Sequence, residues 1–340
     1  MSENYIGTSP GGGWGNQFFI SLFGRVWARR HHQTWINTGQ PFPGTHLYGW
    51  PADTLPRQPP VPMRRLEETA VDLYDDYEKT CGHKARNYDD TEIDGYLQCN
   101  TRRHAADRAW IQHELFKLTP AVAALLDPFV DAVRARGQTV IALQLRHGDF
   151  GWGPFPIAPN AWYLGWLQAN WQRFVSPVLY IATNAPDRAR EDFAAFKPMF
   201  RSDIPHAFAP GFKLTLSPPH DNVDYFPDFH ILTQADVALI SNSTFGVAAS
   251  LLNTRPGAEF HRPDFWQGGM KAMDPWNTWP WEHWHQAGRP GTPPPPERDI
   301  DYDRAMKGAT RDFFSLGLKH SNPYPDTRHC CEAALQAARA

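Results

Sequence analysis

Three short stretches combine residue types that could hold an anion. The first, Gly11-Gly12-Gly13-Trp14-Gly15-Asn16-Gln17-Phe18, sets a glycine-rich turn ahead of an apolar pattern with helical spacing. Glycine lets a backbone approach a ligand closely, and a helix N-terminus offers unpaired N–H groups to negative charge. Asn16 and Gln17 add neutral donors and acceptors at that mouth. The plainer alternative is a connecting turn, with Asn16 only capping the helix. Neither the Lys-Ser/Thr pair of a P-loop nor GxGxxG after a long strand is present. The second stretch, Gln144-Leu145-Arg146-His147-Gly148-Asp149-Phe150, closes an apolar run. An arginine there can grip a diphosphate through its planar fork, or pair with Asp149 for structure alone. In the third, Ile240-Ser241-Asn242-Ser243-Thr244-Phe245, hydroxyls and the first N–H groups of a helix converge on a point suited to phosphate oxygens. A simple cap by Ser243 or Thr244 is the competing reading.

The elements around these stretches form two α/β halves, divided near Gly137 into residues 1–137 and 138–340. In the first half, Trp14, Phe18, Leu22 and Val26, with Phe19, Phe23 and Trp27, recur at helical spacing. Residues 40–62, rich in proline and glycine, read as a long surface excursion. Thr119 and Pro120 open a second helix, which Gly137 ends. The second half alternates more clearly. Thr139–Leu145, Val178–Thr183 and Val237–Ser241 are expected strands. Helices are expected from about Asn160, burying Tyr163, Leu164, Leu167, Trp171 and Phe174, from Pro186, and after Ser241. Strands alternating with helices imply a parallel sheet, whose ligands sit beyond the strands' carboxyl ends. From Trp276 onward WNTWPWEHWHQAGRPGTPPPP is irregular, with a last helical stretch around residues 302–316.

Composition narrows the partners. The 340 residues are 41% hydrophobic and 20% charged with a formal net charge of −3, which suits a packed core and disfavours nucleic acid as a partner. No apolar leader follows a basic cluster, and no window approaches the ~20 apolar residues of a membrane helix, so a cytoplasmic protein is expected. Cys81, Cys99, Cys330 and Cys331 lack metal-ligand spacing and read as reduced thiols, a Cys81–Cys99 bridge being the alternative on export. The acidic pairs Asp75–Asp76 and Asp89–Asp90 read as solvated surface, and His31, His32, His283 and His285 as ordinary residues. Trp276, Trp279, Trp281 and Trp284 could line a sugar platform, although anchoring their segment to the core is the favoured reading.

Taken together, the motifs resemble the alpha-1,2-fucosyltransferase family. GGGWGNQFF with Phe23-Gly24-Arg25 is similar to its GGxGNQxF...FGR signature, QLRHGDF to HxRRGDY, IATNAP to an IFSDDP-like segment, and ISNSTFGVAASLL to NSTFSWWAAWL. The matches keep the family's order over residues 11–252. Gln144, His147 and Asn184 stand where the family carries histidine, arginine and aspartate, and Gly246-Val247 replaces a serine-tryptophan pair.

The resemblance implies a GT-B-like α/β fold, two Rossmann-like domains facing a cleft, with the acceptor on the 1–137 side and the nucleotide sugar on the 138–340 side. It implies inverting, metal-independent transfer of fucose from GDP-fucose to a glycan hydroxyl, with no cofactor. Asn16, Arg146, His147 and Asp149 are then the catalytic candidates, and Gly13, Gly15, Asn16, Arg146, Asn184, Ser243, Thr244 and Phe245 the donor-binding ones. His147, Asp149 and Glu114 stay open as general base. Two other readings stay open: transfer of another nucleotide-linked sugar, because the nucleoside-side residues differ, and a non-catalytic carbohydrate-binding protein.

Overall fold

Strands with both faces covered read as unbroken apolar runs, and such runs make the spine of the second half. In the computed structural model, which describes residues 4–39, 42, 44–51, 57–67, 88–147, 157–205, 225–265 and 267–280, this spine is β5 (Thr139–Leu145) and β6 (Pro177–Thr183). They pair in parallel from Thr139↔Pro177 to Leu145↔Thr183. On the other side of β5 lie β7 (Val237–Leu239) and β8 (Glu259–Pro263), also parallel, and then antiparallel β9 (Met270–Ala272). Ile141, Leu143 and Leu145 face one buried cluster, with Tyr163, Leu167 and Phe193. Val140 and Ala142 face the main core. The expected third strand is shorter than its apolar run: Ser241 leaves it to bond the side chain of Gln144.

A separate four-stranded sheet builds the first half, in the order β2 (Thr34–Asn37), β1 (Tyr5–Thr8), β4 (Thr91–Asp94), β3 (Arg64–Glu67), all parallel. The α/β, GT-B-like expectation therefore holds at the level of fold. Helix α1 (Trp14–His31) follows β1 and is buried along most of its length, so the aromatic repeat from Trp14 to Trp27 reports packing on both sides. The surface excursion expected over residues 40–62 is corrected in part. Within it α2 (Gly44–Tyr48) buries Leu47 and Tyr48, and Trp50 stacks on Phe42 and donates to the Leu115 carbonyl. Gly49, Pro51, Pro60 and Pro62 remain exposed, as the excursion reading expected.

Helix α3 (Pro120–Arg134) starts at Thr119, whose hydroxyl accepts from Val122 N, and Arg134 joins Asp236 at the foot of β7. Then come α4 (Asn160–Asn170), α5 (Pro186–Asp192), α6 (Phe226–Thr233) and α7 (Thr244–Leu252). In α4 only Tyr163 and Leu167 are fully buried and Leu164 packs at the margin, as do Trp171 and Phe174, which lie beyond its end and not within the helix as expected. Trp14 bridges the halves, stacking on Phe42 at 5.0 Å and meeting the edges of Phe226 and Phe229 of α6. One continuous core thus runs from α1 through α6 and α7.

Several smaller expectations change. Asp89 and Asp90 are structural rather than solvated: Asp89 accepts from the Gln33 side chain and Asp90 from Tyr5 N, fixing the entry to β1 and β4. Cys99 is buried, with its sulfur 3.4 Å from His104 Nε2. Trp276 is buried and Trp279 packs on the core, which is the anchoring role. Asp75, Asp76, Cys81, Trp281, His283, Trp284, His285, Cys330, Cys331 and the stretch 302–316 lie outside the described residues. Among those described, no helix is long and apolar enough to cross a membrane.

Candidate functional site

Parallel strands deliver their carboxyl ends to one edge of a sheet, and the candidate residues lie at those edges. Beyond β1 comes the glycine turn and α1, beyond β5 Arg146, beyond β6 Asn184, and beyond β7 the turn 240–243 and α7. Arg146 directly follows Leu145, the partner of Thr183, so Arg146 and Asn184 leave the sheet side by side.

The first turns of α1 and α7 meet. The Thr244 hydroxyl donates to Asn16 Oδ1 at 3.0 Å, across 228 residues of chain. Gly15 makes the approach possible: an added Cβ would lie 2.5 Å from Phe245 N and 2.6 Å from the Thr244 carbonyl carbon, and would also strike Thr244 Oγ1. Both helices direct the positive ends of their dipoles at this junction. Gly13 is the N-cap of α1 in an extended conformation, and no side chain caps that end. Asn16 therefore does not cap α1, which corrects one reading of it. It lies in the first turn, and its oxygen accepts a second bond, at 2.9 Å, from Gln98 Nε2. The Gln17 amide folds back to the Gly12 carbonyl at 2.8 Å and holds the turn.

On the α7 side, Ser243 is the N-cap and accepts from Phe245 N at 3.4 Å. The capping role expected of it is present, and its carbonyl also accepts from Gly246 N and Val247 N, so the first turn of α7 is closed by Ser243 at both oxygens. Ser241 donates to Gln144 Oε1 at 2.6 Å, and the same oxygen accepts from Ser241 N, which pins the turn to β5. Phe245 is half-buried against Tyr225 and Phe229.

Asn184 and His147 form a reciprocal pair: Asn184 Oδ1 accepts from His147 N at 2.9 Å and its Nδ2 donates to His147 O at 3.0 Å. The carboxamide extends the β5–β6 pairing by one step, where an aspartate could make only one of these bonds. The His147 imidazole is buried. Desolvation, reinforced by Arg188 and opposed by Asp192, lowers its pKa below the usual range, so the ring is neutral at physiological pH. Asp149 lies outside the described residues. Glu114 is exposed on the turn Ile111–Leu115, whose Gln112 bonds Leu251 O and Asn253 O at the far end of α7. It is removed from the site.

Two contributors escaped the sequence reading. Gln98 had no motif around it; it arrives because β4 ends beside β1. Arg262, on β8, is fully buried and donates to Asn242 Oδ1 at 2.9 Å, to Thr278 Oγ1 at 3.0 Å and to Trp279 O at 2.6 Å. It fixes a positive charge behind the 240–243 turn and holds the returning chain against it. An arginine inside a strand next to a proline was the available signal.

No protein-family model and no curated protein matches the chain. Solved structures share its fold. Fucosyltransferase NodZ from Bradyrhizobium aligns at 11% identity over 81% of this chain and 99% of that chain, with a TM-score of 0.52. The NodZ alpha-1,6-fucosyltransferase co-crystallised with GDP aligns at 12% identity over 81% and 99%, with a TM-score of 0.50.

Proposed function

We propose that the protein is an inverting glycosyltransferase that moves fucose from GDP-fucose to a hydroxyl of a glycan. The observation that carries this reading is the direct contact of two helix N-termini through Thr244 and Asn16, beyond the carboxyl ends of the parallel strands β1 and β7. That arrangement suits a diphosphate, and the fold is shared with fucosyltransferases, one of them crystallised with GDP. In the proposed step the bond between the sugar's anomeric carbon and the phosphate oxygen breaks, and GDP leaves with the electron pair. The acceptor oxygen bonds that carbon from the opposite face and loses its proton. Arg146, the positive end of the α7 dipole and the Ser243 hydroxyl meet the charge growing on the diphosphate, with Arg262 behind them. These fixed donors do the electrostatic work that a metal ion would otherwise supply. Phe245 walls the donor, and Gly13 and Gly15 let the backbone of α1 come close. Asn16 directs its amide at the reacting centre. In a loose transition state the attacking oxygen is little bonded to carbon and needs little activation, so a weak base, neutral His147 or Asp149, suffices to take its proton as the bond forms. Residues 1–137 serve the acceptor and 138–340 the donor.

A second reading, transfer from another nucleotide sugar, is favoured by one feature. Asn184 spends one bond from each end of its amide on His147 and presents no carboxylate to a guanine. Calorimetry with GDP and UDP separates the two. GDP binding by the wild type, lost roughly 10- to 100-fold in Arg146→Ala and little restored in Arg146→Lys, supports the donor site, since lysine keeps charge without the fork. Binding of UDP alone selects the second reading, and binding of neither nucleotide removes the donor site altogether. Turnover of GDP-fucose that stops in EDTA and returns with a divalent ion would refute the metal-free chemistry.

A further inference from the structure

If the protein is the transferase proposed above, the acceptor must reach the open end of the Asn16 amide, and one surface lies there. The Asn16 oxygen is held from two sides, by Gln98 and Thr244, which turns its Nδ2 toward the glycine turn. An ideal Cβ built on Gly12 would lie 3.0 Å from Asn16 Nδ2 and 3.6 Å from Tyr96 Cε1, so the amide and the Tyr96 ring border the same small space. Gly12 has a φ of 72°, a left-handed conformation that costs glycine nothing, and its missing side chain leaves that space open.

Tyr96 is 45% exposed, and among the described residues it is the exposed large aromatic. The other exposed large apolar side chains are Leu125, within α3, and Val175, just ahead of β6, neither at a strand's carboxyl end. The backbone is bent to put Tyr96 there. Leu97, the next residue, has a φ of 51°, in the left-handed region that a branched side chain enters only at a cost. Its own side chain is fully buried. The bend thus sends Leu97 into the core, stands Tyr96 beside the turn, and brings Gln98 onto Asn16. Three consecutive residues serve one purpose at the end of β4. Trp276 and Trp279, the tryptophans that could have made a platform, are packed into the core.

We infer that Tyr96 is the acceptor platform: the apolar C–H face of a neutral pyranose ring stacks on it and presents a hydroxyl to Asn16. An aromatic ring with a wet edge matches a sugar, which has one apolar face and polar rims. Saturation-transfer NMR tests this, with the GDP-saturated protein and a millimolar panel of neutral oligosaccharides ending in galactose or N-acetylglucosamine. The expected result is saturation concentrated on the ring C–H protons of one sugar face, reduced at least tenfold in Tyr96→Ala and kept in Tyr96→Phe. Calorimetry with GDP on the same samples separates the two claims. Absence of GDP binding by the wild type defeats the GDP-fucose reading on which the platform rests. Normal GDP binding with no oligosaccharide contact, or with contact undiminished in Tyr96→Ala, overturns the platform alone.

Discussion

Helices α1 and α7 both begin at the carboxyl end of a parallel strand, yet their first turns are built on different terms. The α7 end satisfies itself: Ser243 supplies the cap and Gln144 ties down the preceding turn. The α1 end has a glycine N-cap with no side-chain cap, a second glycine at positive φ, and a third whose missing Cβ admits the other helix. Of its two polar side chains, Gln17 folds back on the Gly12 carbonyl, whereas Asn16 is held by residues distant in sequence. A self-capped end can serve as a fixed anion cradle. An end kept open by glycine can bring its backbone to a reacting atom, at the cost of depending on its neighbours for rigidity. The first suits binding and the second suits turnover.

The sharpest way to break this comparison is at the point of contact. Gly15→Ala forces a Cβ onto the backbone of Thr244 and Phe245. It should destabilise the protein by about 3 kcal/mol, as overpacking of a close contact does, and abolish turnover even where folded protein is recovered. Gly13→Ala meets no atom within 4 Å, so it should lose about 1 kcal/mol at most. Equal melting temperatures for the two variants would mean that the helix ends do not touch.

Next in size is Asn16→Ala. The amide is expected to act late, on charge that develops in the transition state. Turnover should fall roughly 10²- to 10³-fold while GDP affinity stays within a few-fold. Normal turnover per folded molecule would leave Asn16 as a strut between the halves.

Thr244→Val and Ser243→Ala divide the α7 end. The valine keeps the shape but breaks the bond to Asn16, so it should lower turnover and add little to Asn16→Ala, as coupled neighbours do. Ser243→Ala should cost about 1 kcal/mol of stability through the lost cap and weaken GDP. Calorimetry and steady-state rates on both single variants check this; interchangeable effects would erase the division between binding end and turnover end.

The smallest expected effect tests whether α6 backs both ends alike. Its Phe229 packs on Trp14 and on Phe245, and its Asp228 lies buried, accepting from the Tyr180 hydroxyl and facing Arg201. Burial outweighs both partners and pushes the Asp228 pKa up to about 6. A raised acid pKa favours the protonated folded state. Its contribution is complete below the ordinary value near 3.8 and is lost as pH rises through about 6. Asp228→Asn should therefore raise the melting temperature at pH 7.5 more than at pH 5. Melting curves at the two pH values give the answer, and an equal shift at both would show that Asp228 is ionised throughout.

The sequence alone determined the alternation of the second half and the placing of Arg146, Ser243 and Thr244 at strand ends. TVIALQL and VLYIAT declare themselves because a strand buried on both faces must be apolar throughout. It also marked the glycine turn, since clustered glycines ahead of an apolar helix have few other uses. The strands of the first sheet, YIGT, TWIN, RRLE and TEID, carried no such mark. Four residues are too few to show a period, and parallel pairing draws its stability from chain far away. Only the tertiary structure decided that Asn16 meets Thr244, that Gln98 and Tyr96 arrive beside them, and that Arg262 lies buried behind Asn242. These contacts join residues whose separation in sequence bears no relation to any local repeat, so nothing short of the packed core could bring them together.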